Sequence, residues 1–189
     1  MNKRIMLRNS VLAITITLLL IGALPGYAQS GKIFIPLVNV PESIPNGNFE
    51  KGLSYWYWYP NGSLLTSVYS RSGNYAAMLS NGSPNQVTYI QQYITVSPYQ
   101  PYLVFYRRMD SSDACSTSRY MWDYYRVTIN GLEVFYQSVC SPNSSTNWIR
   151  ESIDMSGFAL NTVMLTVEFH SDDSVSSWLY LDDFSFESY

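Results

Sequence analysis

This sequence predicts an all-β fold: a two-sheet antiparallel sandwich of the jelly-roll kind, with about nine strands and one disulfide. Three observations carry that expectation. From Asn46 onward, short runs rich in Tyr, Val, Ile, Thr and Phe alternate with Asn-Gly, Ser-Gly and Pro punctuation. None of those runs sustains a helical period. Two cysteines, Cys115 and Cys140, follow a leader-like N-terminus, and an even count in an exported chain reads as a disulfide.

The leader comes first. Lys3, Arg4 and Arg8 form a positive segment, Val11 to Leu24 an apolar one, and Gly26-Tyr27-Ala28 a small-residue cleavage site. Residues 1–28 therefore read as a signal peptide cut after Ala28, and the chain as secreted. The apolar segment is short for a spanning helix, which needs about 20 residues, and no second run is long enough, so no membrane association is expected after cleavage. Residues 29–45 carry three prolines and read as a tether. Residues 46–189 are the size of one domain.

Within that domain the expected strands are Leu64–Ser70, Tyr75–Ser80, Tyr89–Val96, Tyr102–Asp110, Tyr124–Ile129, Leu132–Ser138, Trp148–Asp154, Val163–His170 and Trp178–Glu187. Asn130-Gly131 between two of them is a hairpin signal, because both turn positions need φ > 0. Val96 to Pro101 holds two prolines and marks another connection. A Cys115–Cys140 bridge closes a loop of about 25 residues, worth roughly 3 kcal/mol by chain entropy.

Charge narrows the function. Loss of the leader removes three basic residues and no acidic ones, so the formal net charge falls from −3 to −6. An acidic chain of this kind is a poor nucleic-acid binder, which needs a basic face. Enzyme chemistry has little to stand on. His170 is the only histidine and reads as a strand-end residue. No nucleophile elbow or phosphate loop is visible. A glycosidase needs two positioned carboxylates, and Glu133, Glu151, Asp154 and Glu168 are no more than any β domain carries.

Two segments stand apart: Asn46-Gly47-Asn48-Phe49-Glu50 near the front and Leu181-Asp182-Asp183-Phe184-Ser185-Phe186 at the end. Each sets a carboxylate in an apolar run, where an ionised group needs a partner. With Gly52-Leu53-Ser54, Trp56, Arg71 to Ala77 and Ile94 to Arg107, they cover residues 46–187. In order and spacing they resemble the galactose-binding-like jelly rolls, above all the CenC-type carbohydrate-binding modules (families 4, 9, 16 and 22). The chain is also similar to the MAM-like module beside secreted immune-inhibitor-type metalloproteases, which the Cys115 to Cys140 stretch resembles most.

That resemblance implies a structural calcium held by Glu50, Asp182, the Ser72–Asn74 turn and a backbone oxygen near Asn48. The alternative is that Glu50 and Asp182 are solvated rim residues. It also implies Trp56 in the core. Strand alternation would then put Tyr57 and Tyr59 on the opposite face, where rings stack on sugars. Trp122 and Tyr124 could extend such a platform, with Tyr120, Trp148 and Trp178, and Arg107 and Arg126 could hydrogen-bond a ligand. Tyrosine-rich strands are also simply good β formers. Two functions stay open: a non-catalytic module for a cell-wall or extracellular polysaccharide, and an adhesion domain that binds an extracellular protein.

Overall fold

The computed structural model describes residues 44–60, 64–79, 83–120 and 122–188. The leader and nearly all of the tether lie outside them. Ten strands form: β1 Tyr57–Tyr59, β2 Leu65–Thr66, β3 Ala76–Met78, β4 Val87–Thr95, β5 Tyr102–Ser111, β6 Tyr124–Ile129, β7 Leu132–Ser138, β8 Ser145–Asp154, β9 Thr162–His170 and β10 Ser177–Glu187. Two 3-10 turns, Ser141–Asn143 and Ser156–Phe158, precede and follow β8. Among the described residues no helix is long and apolar enough to cross a membrane.

The strands form two five-stranded antiparallel sheets, ordered β1-β4-β9-β6-β7 and β2-β3-β10-β5-β8. All nine expected strands are present. β2 and β3 are shorter than their apolar runs, and β8 begins three residues early. The hairpin at Asn130-Gly131 joins β6 to β7 with φ of 50° and 83°, as its sequence requires. The Val96–Pro101 connection carries the chain from one sheet to the other, because β4 pairs with β9 and β5 with β10.

Alternation fixes the faces. On β4, Thr88, Ile90, Gln92 and Ile94 are buried while Tyr89, Gln91 and Tyr93 point outward. Ile90, Val127, Leu165, Val167 and Phe169 from the first sheet pack against Leu103, Phe105, Leu179 and Leu181 from the second. Phe49, Trp56 and Phe184 add a tight aromatic cluster, with ring centroids 5.2–6.0 Å apart. Trp56 is thus a core residue, as the resemblance implied. Ile44 is also buried in this core, and the Pro45 carbonyl accepts a hydrogen bond from Gln92. The sandwich therefore includes Ile44 and Pro45, the last two residues of the expected tether.

The front motif has a physical reason at each position. Asn46, at φ 54°, donates from its amide to the carbonyls of Gly52 and Ser54 and accepts from the Lys51 N–H. Its own carbonyl accepts from the Trp56 indole. Gly47 lies against the backbone of Phe184, whose N–H donates to the Gly47 carbonyl at 2.9 Å. Phe49 fills the core, and Glu50 turns back toward residues 74–75.

Candidate functional site

The outward face of the first sheet collects chemistry from all five strands. Cross-strand register aligns Tyr59 with Tyr89, Tyr89 with Glu168, Glu168 with Arg126, and Arg126 with Tyr136. One lateral row therefore reads Tyr, Tyr, Glu, Arg, Tyr. The next row reads Tyr57, Gln91, Thr166, Thr128 and Glu133. A cleft of about 250 Å³ lies over these rows, lined by Tyr89, Gln91, Arg126, Thr128, Thr166 and Glu168 among others.

Aromatic rings flank the cleft on both sides. On one, Tyr59 stacks on Tyr89 at 5.5 Å and Tyr57 sits 6.1 Å from it. On the other, Tyr124 stacks on His170 at 4.5 Å and on Tyr136 at 5.5 Å, with Tyr120 packed edge-on against Tyr124 and Tyr136. Tyr57 and Tyr59 are more than half and half exposed, so that wall is open to solvent.

Between the walls, Arg126 donates from one nitrogen to both oxygens of Glu168 at 3.0 and 3.2 Å, and His170 also pairs with Glu168. Burial works against the Arg126 charge, but the bond and charge of Glu168 outweigh it and raise its pKa. Burial, helped by Tyr57, raises that of Tyr89, and burial also raises that of Tyr124. These hydroxyls stay protonated at neutral pH, able to donate and accept. Glu133 is tied by Arg119 at 2.6 Å and the Tyr120 hydroxyl at 2.7 Å.

Five of the residues singled out from sequence, Tyr57, Tyr59, Tyr120, Tyr124 and Arg126, meet on this face. Four do not join it. Arg107 shares its strand parity with Leu103, Phe105 and Met109, so its side chain enters the interior and bonds Glu151 at 2.6 Å. Cations on strands follow parity like any other residue, and the alternation of β5 carried that signal. Trp122 is half-buried in the bend before β6. Trp148 and Trp178 belong to strands of the other sheet. Tyr89, Gln91, Glu168 and Tyr136 were not singled out from sequence. Alternation placed each outward, but nothing local makes them neighbours.

The two bookend carboxylates meet one turn from opposite ends. Asp182, fully buried, accepts from the N–H groups of Arg71 (2.8 Å), Ser72 (3.2 Å) and Asp183 (2.8 Å). Glu50 accepts from the N–H groups of Asn74 and Tyr75 at 2.7 and 2.8 Å, and from the Asn74 amide. Those backbone bonds hold its pKa low. Burial, which the bonds only partly offset, pushes Asp182 up to about 6. The Ser72 hydroxyl donates to Asp183, and Asn48 accepts only a long bond from the Glu50 N–H. All four carboxylate oxygens face N–H donors, so Glu50 and Asp182, with Ser72, Asn74 and Asp183, close the sandwich as a hydrogen-bonded clasp. A carboxylate oxygen that accepts one such bond keeps a lone pair that can also face a cation.

A different acidic set could hold a metal ion. Asp113, after β5, Asp123, before β6, and Asp172, after β9, bring one carboxylate oxygen each within 4.8 Å of the others. They lie beside the Cys115–Cys140 disulfide, which forms as expected.

No family model matches the chain, and no curated protein matches it. Solved structures do. The carbohydrate-binding module TmCBM61, in complex with β-1,4-galactotriose, superposes with a TM-score of 0.56 at 16% identity, over 78% of this chain and 99% of that one. The K3 cleaved adhesin domain of Lys-gingipain from Porphyromonas gingivalis w83 gives 0.53 at 14%, over 77% and 99%. CBM27-1 of Caldicellulosiruptor saccharolyticus, in complex with mannohexaose, gives 0.52 at 16%, over 75% and 94%. At these identities the likeness is one of fold: a two-sheet antiparallel β-sandwich that carbohydrate-binding modules also have.

Proposed function

We propose that this chain is a secreted, non-catalytic module that binds a polysaccharide across the outward face of the first sheet. The observation that carries the reading is the row Tyr59, Tyr89, Glu168, Arg126, Tyr136. Five strands about 4.8 Å apart set the ends of that row about 19 Å from one another, room for an extended sugar chain. Tyr rings offer flat apolar faces to pyranose rings and a polar tip to hydroxyls. Arg126, Glu168, Gln91 and the threonines supply donors and acceptors between them. The structural neighbours that hold galactotriose and mannohexaose support the same direction. The non-catalytic part rests on the carboxylates: Glu168 is committed to Arg126 and His170, and Glu133 to Arg119 and Tyr120.

Titration calorimetry against soluble β-galactan, mannan and non-crystalline cellulose tests this. At least one should bind, and Tyr89→Ala should weaken it about tenfold, the loss expected of one stacked ring. Tyr99→Ala, at an exposed loop position away from the face, should leave affinity unchanged. Silence on every polysaccharide would overturn the proposal and favour the adhesion role, which the likeness to the K3 adhesin domain supports.

A further inference from the structure

We propose that Asp113, Asp123 and Asp172 form a calcium site that pins together the loops after β5, before β6 and after β9. This goes beyond sugar binding and is independent of it. Three carboxylate oxygens lie within 4.8 Å of one another. Three oxygens evenly placed about 2.4 Å from one ion are about 4.2 Å apart, so a set within this limit can share an ion with little or no movement. An all-oxygen, all-carboxylate donor set suits a hard cation rather than zinc or copper.

Charge balance argues for a cation. Asp123 is only 2% exposed and Asp113 only 9%. Among the described residues, none of the ion pairs involves any of the three. Like charges packed this closely and shielded from water are costly unless something positive sits among them.

The hydrogen bonding leaves a place for that charge. Asp123 Oδ1 accepts from the Asp172 N–H at 2.8 Å, and the Ser177 hydroxyl also interacts with this carboxylate, but Oδ2 is buried and meets no donor within hydrogen-bond geometry. A buried acceptor left bare is costly, and this one belongs to the carboxylate that faces the other two. Asp113 accepts from the Ala114 N–H and the Ser174 hydroxyl at 2.9 and 3.0 Å. Asp172 Oδ1 meets the N–H and hydroxyl of Ser174 at 2.8 and 2.6 Å. These partners orient the carboxylates, as outer contacts do around metal ligands. The backbone is held too: the Asp113 and Asp123 carbonyls accept from Ser141 and Val139, which flank Cys140.

Thermal melts of chelator-stripped protein with added calcium test the site, with terbium luminescence as a direct binding readout. Wild type should gain about 5 °C in excess calcium, bind terbium, and release it to calcium. Magnesium, which prefers to keep its waters, should do less. Asp172→Asn should lose most of the shift. In chelator the same variant should melt at or above wild type, because a like charge has gone; that readout separates a lost ligand from a damaged fold. Glu50→Gln should keep the calcium shift. The proposal is overturned if calcium leaves wild type unmoved, if Asp172→Asn retains the full shift, or if Glu50→Gln alone abolishes it.

Discussion

Gly47→Ala is expected to destabilise the domain by about 4 kcal/mol, at the upper end of what single substitutions do. A Cβ at this position would lie 2.1 Å from the Phe184 carbonyl oxygen and 3.0 Å from its carbon. Both are backbone atoms and cannot swing aside. To make room, the Asn46–Glu50 turn must lift off β10. That breaks the Phe184 N–H bond to Gly47 and parts Phe49 and Trp56 from Phe184. Gly131→Ala is the internal control. Nothing lies within 4 Å of its Cβ position, and only its φ of 83° opposes a side chain. It should cost about 1 kcal/mol. Urea unfolding of both variants checks the pair; equal midpoints would mean that the approach of Gly47 to β10 is not a tight one.

The second large effect is the disulfide. Replacing Cys115 and Cys140 by serine should cost about 3 kcal/mol, because the bridge removes the freedom of a 25-residue loop from the unfolded chain. That loop holds β6 and β7, so its release frees two strands of the candidate site, not only the connection. A reduced wild-type sample should match the double variant in urea. If the bridge matters only through chain entropy, adding calcium should leave the difference nearly constant. A difference that grows with calcium would show that bridge and acidic cluster are coupled through Asp113 and Asp123.

Much of the fold was legible because it is encoded locally. Alternation in Tyr89–Val96 and Val163–His170 assigns a face to every residue without knowledge of partners. Asn130-Gly131 names its own turn. The Cys pair needed only a count and the expectation of export. The front motif was recognisable too, but its task was not. From sequence, Glu50 and Asp182 were two carboxylates in want of a cation. In the structure, residues 71–75 supply backbone N–H groups to both. Backbone donors carry no sequence signature, which is why these hydrogen bonds were not foreseen. The acidic cluster is the converse case. Asp113, Asp123 and Asp172 are ordinary loop residues in sequence, and only folding brings them together.

By itself, the sequence determined a β-sandwich with one bridge, while the place of Trp56 in the core came from the resemblance. Periodicity and turn chemistry depend on near neighbours, so they survive any rearrangement of the strands. The tertiary structure alone decided which strands lie side by side. That order follows from closing two apolar faces over one core, a property of the whole chain. It sets Tyr59, Tyr89, Glu168, Arg126 and Tyr136 in one row, though nearly 110 positions of sequence lie between the first and Glu168. The same closure sent Arg107 inward, because parity, not polarity, chose its side.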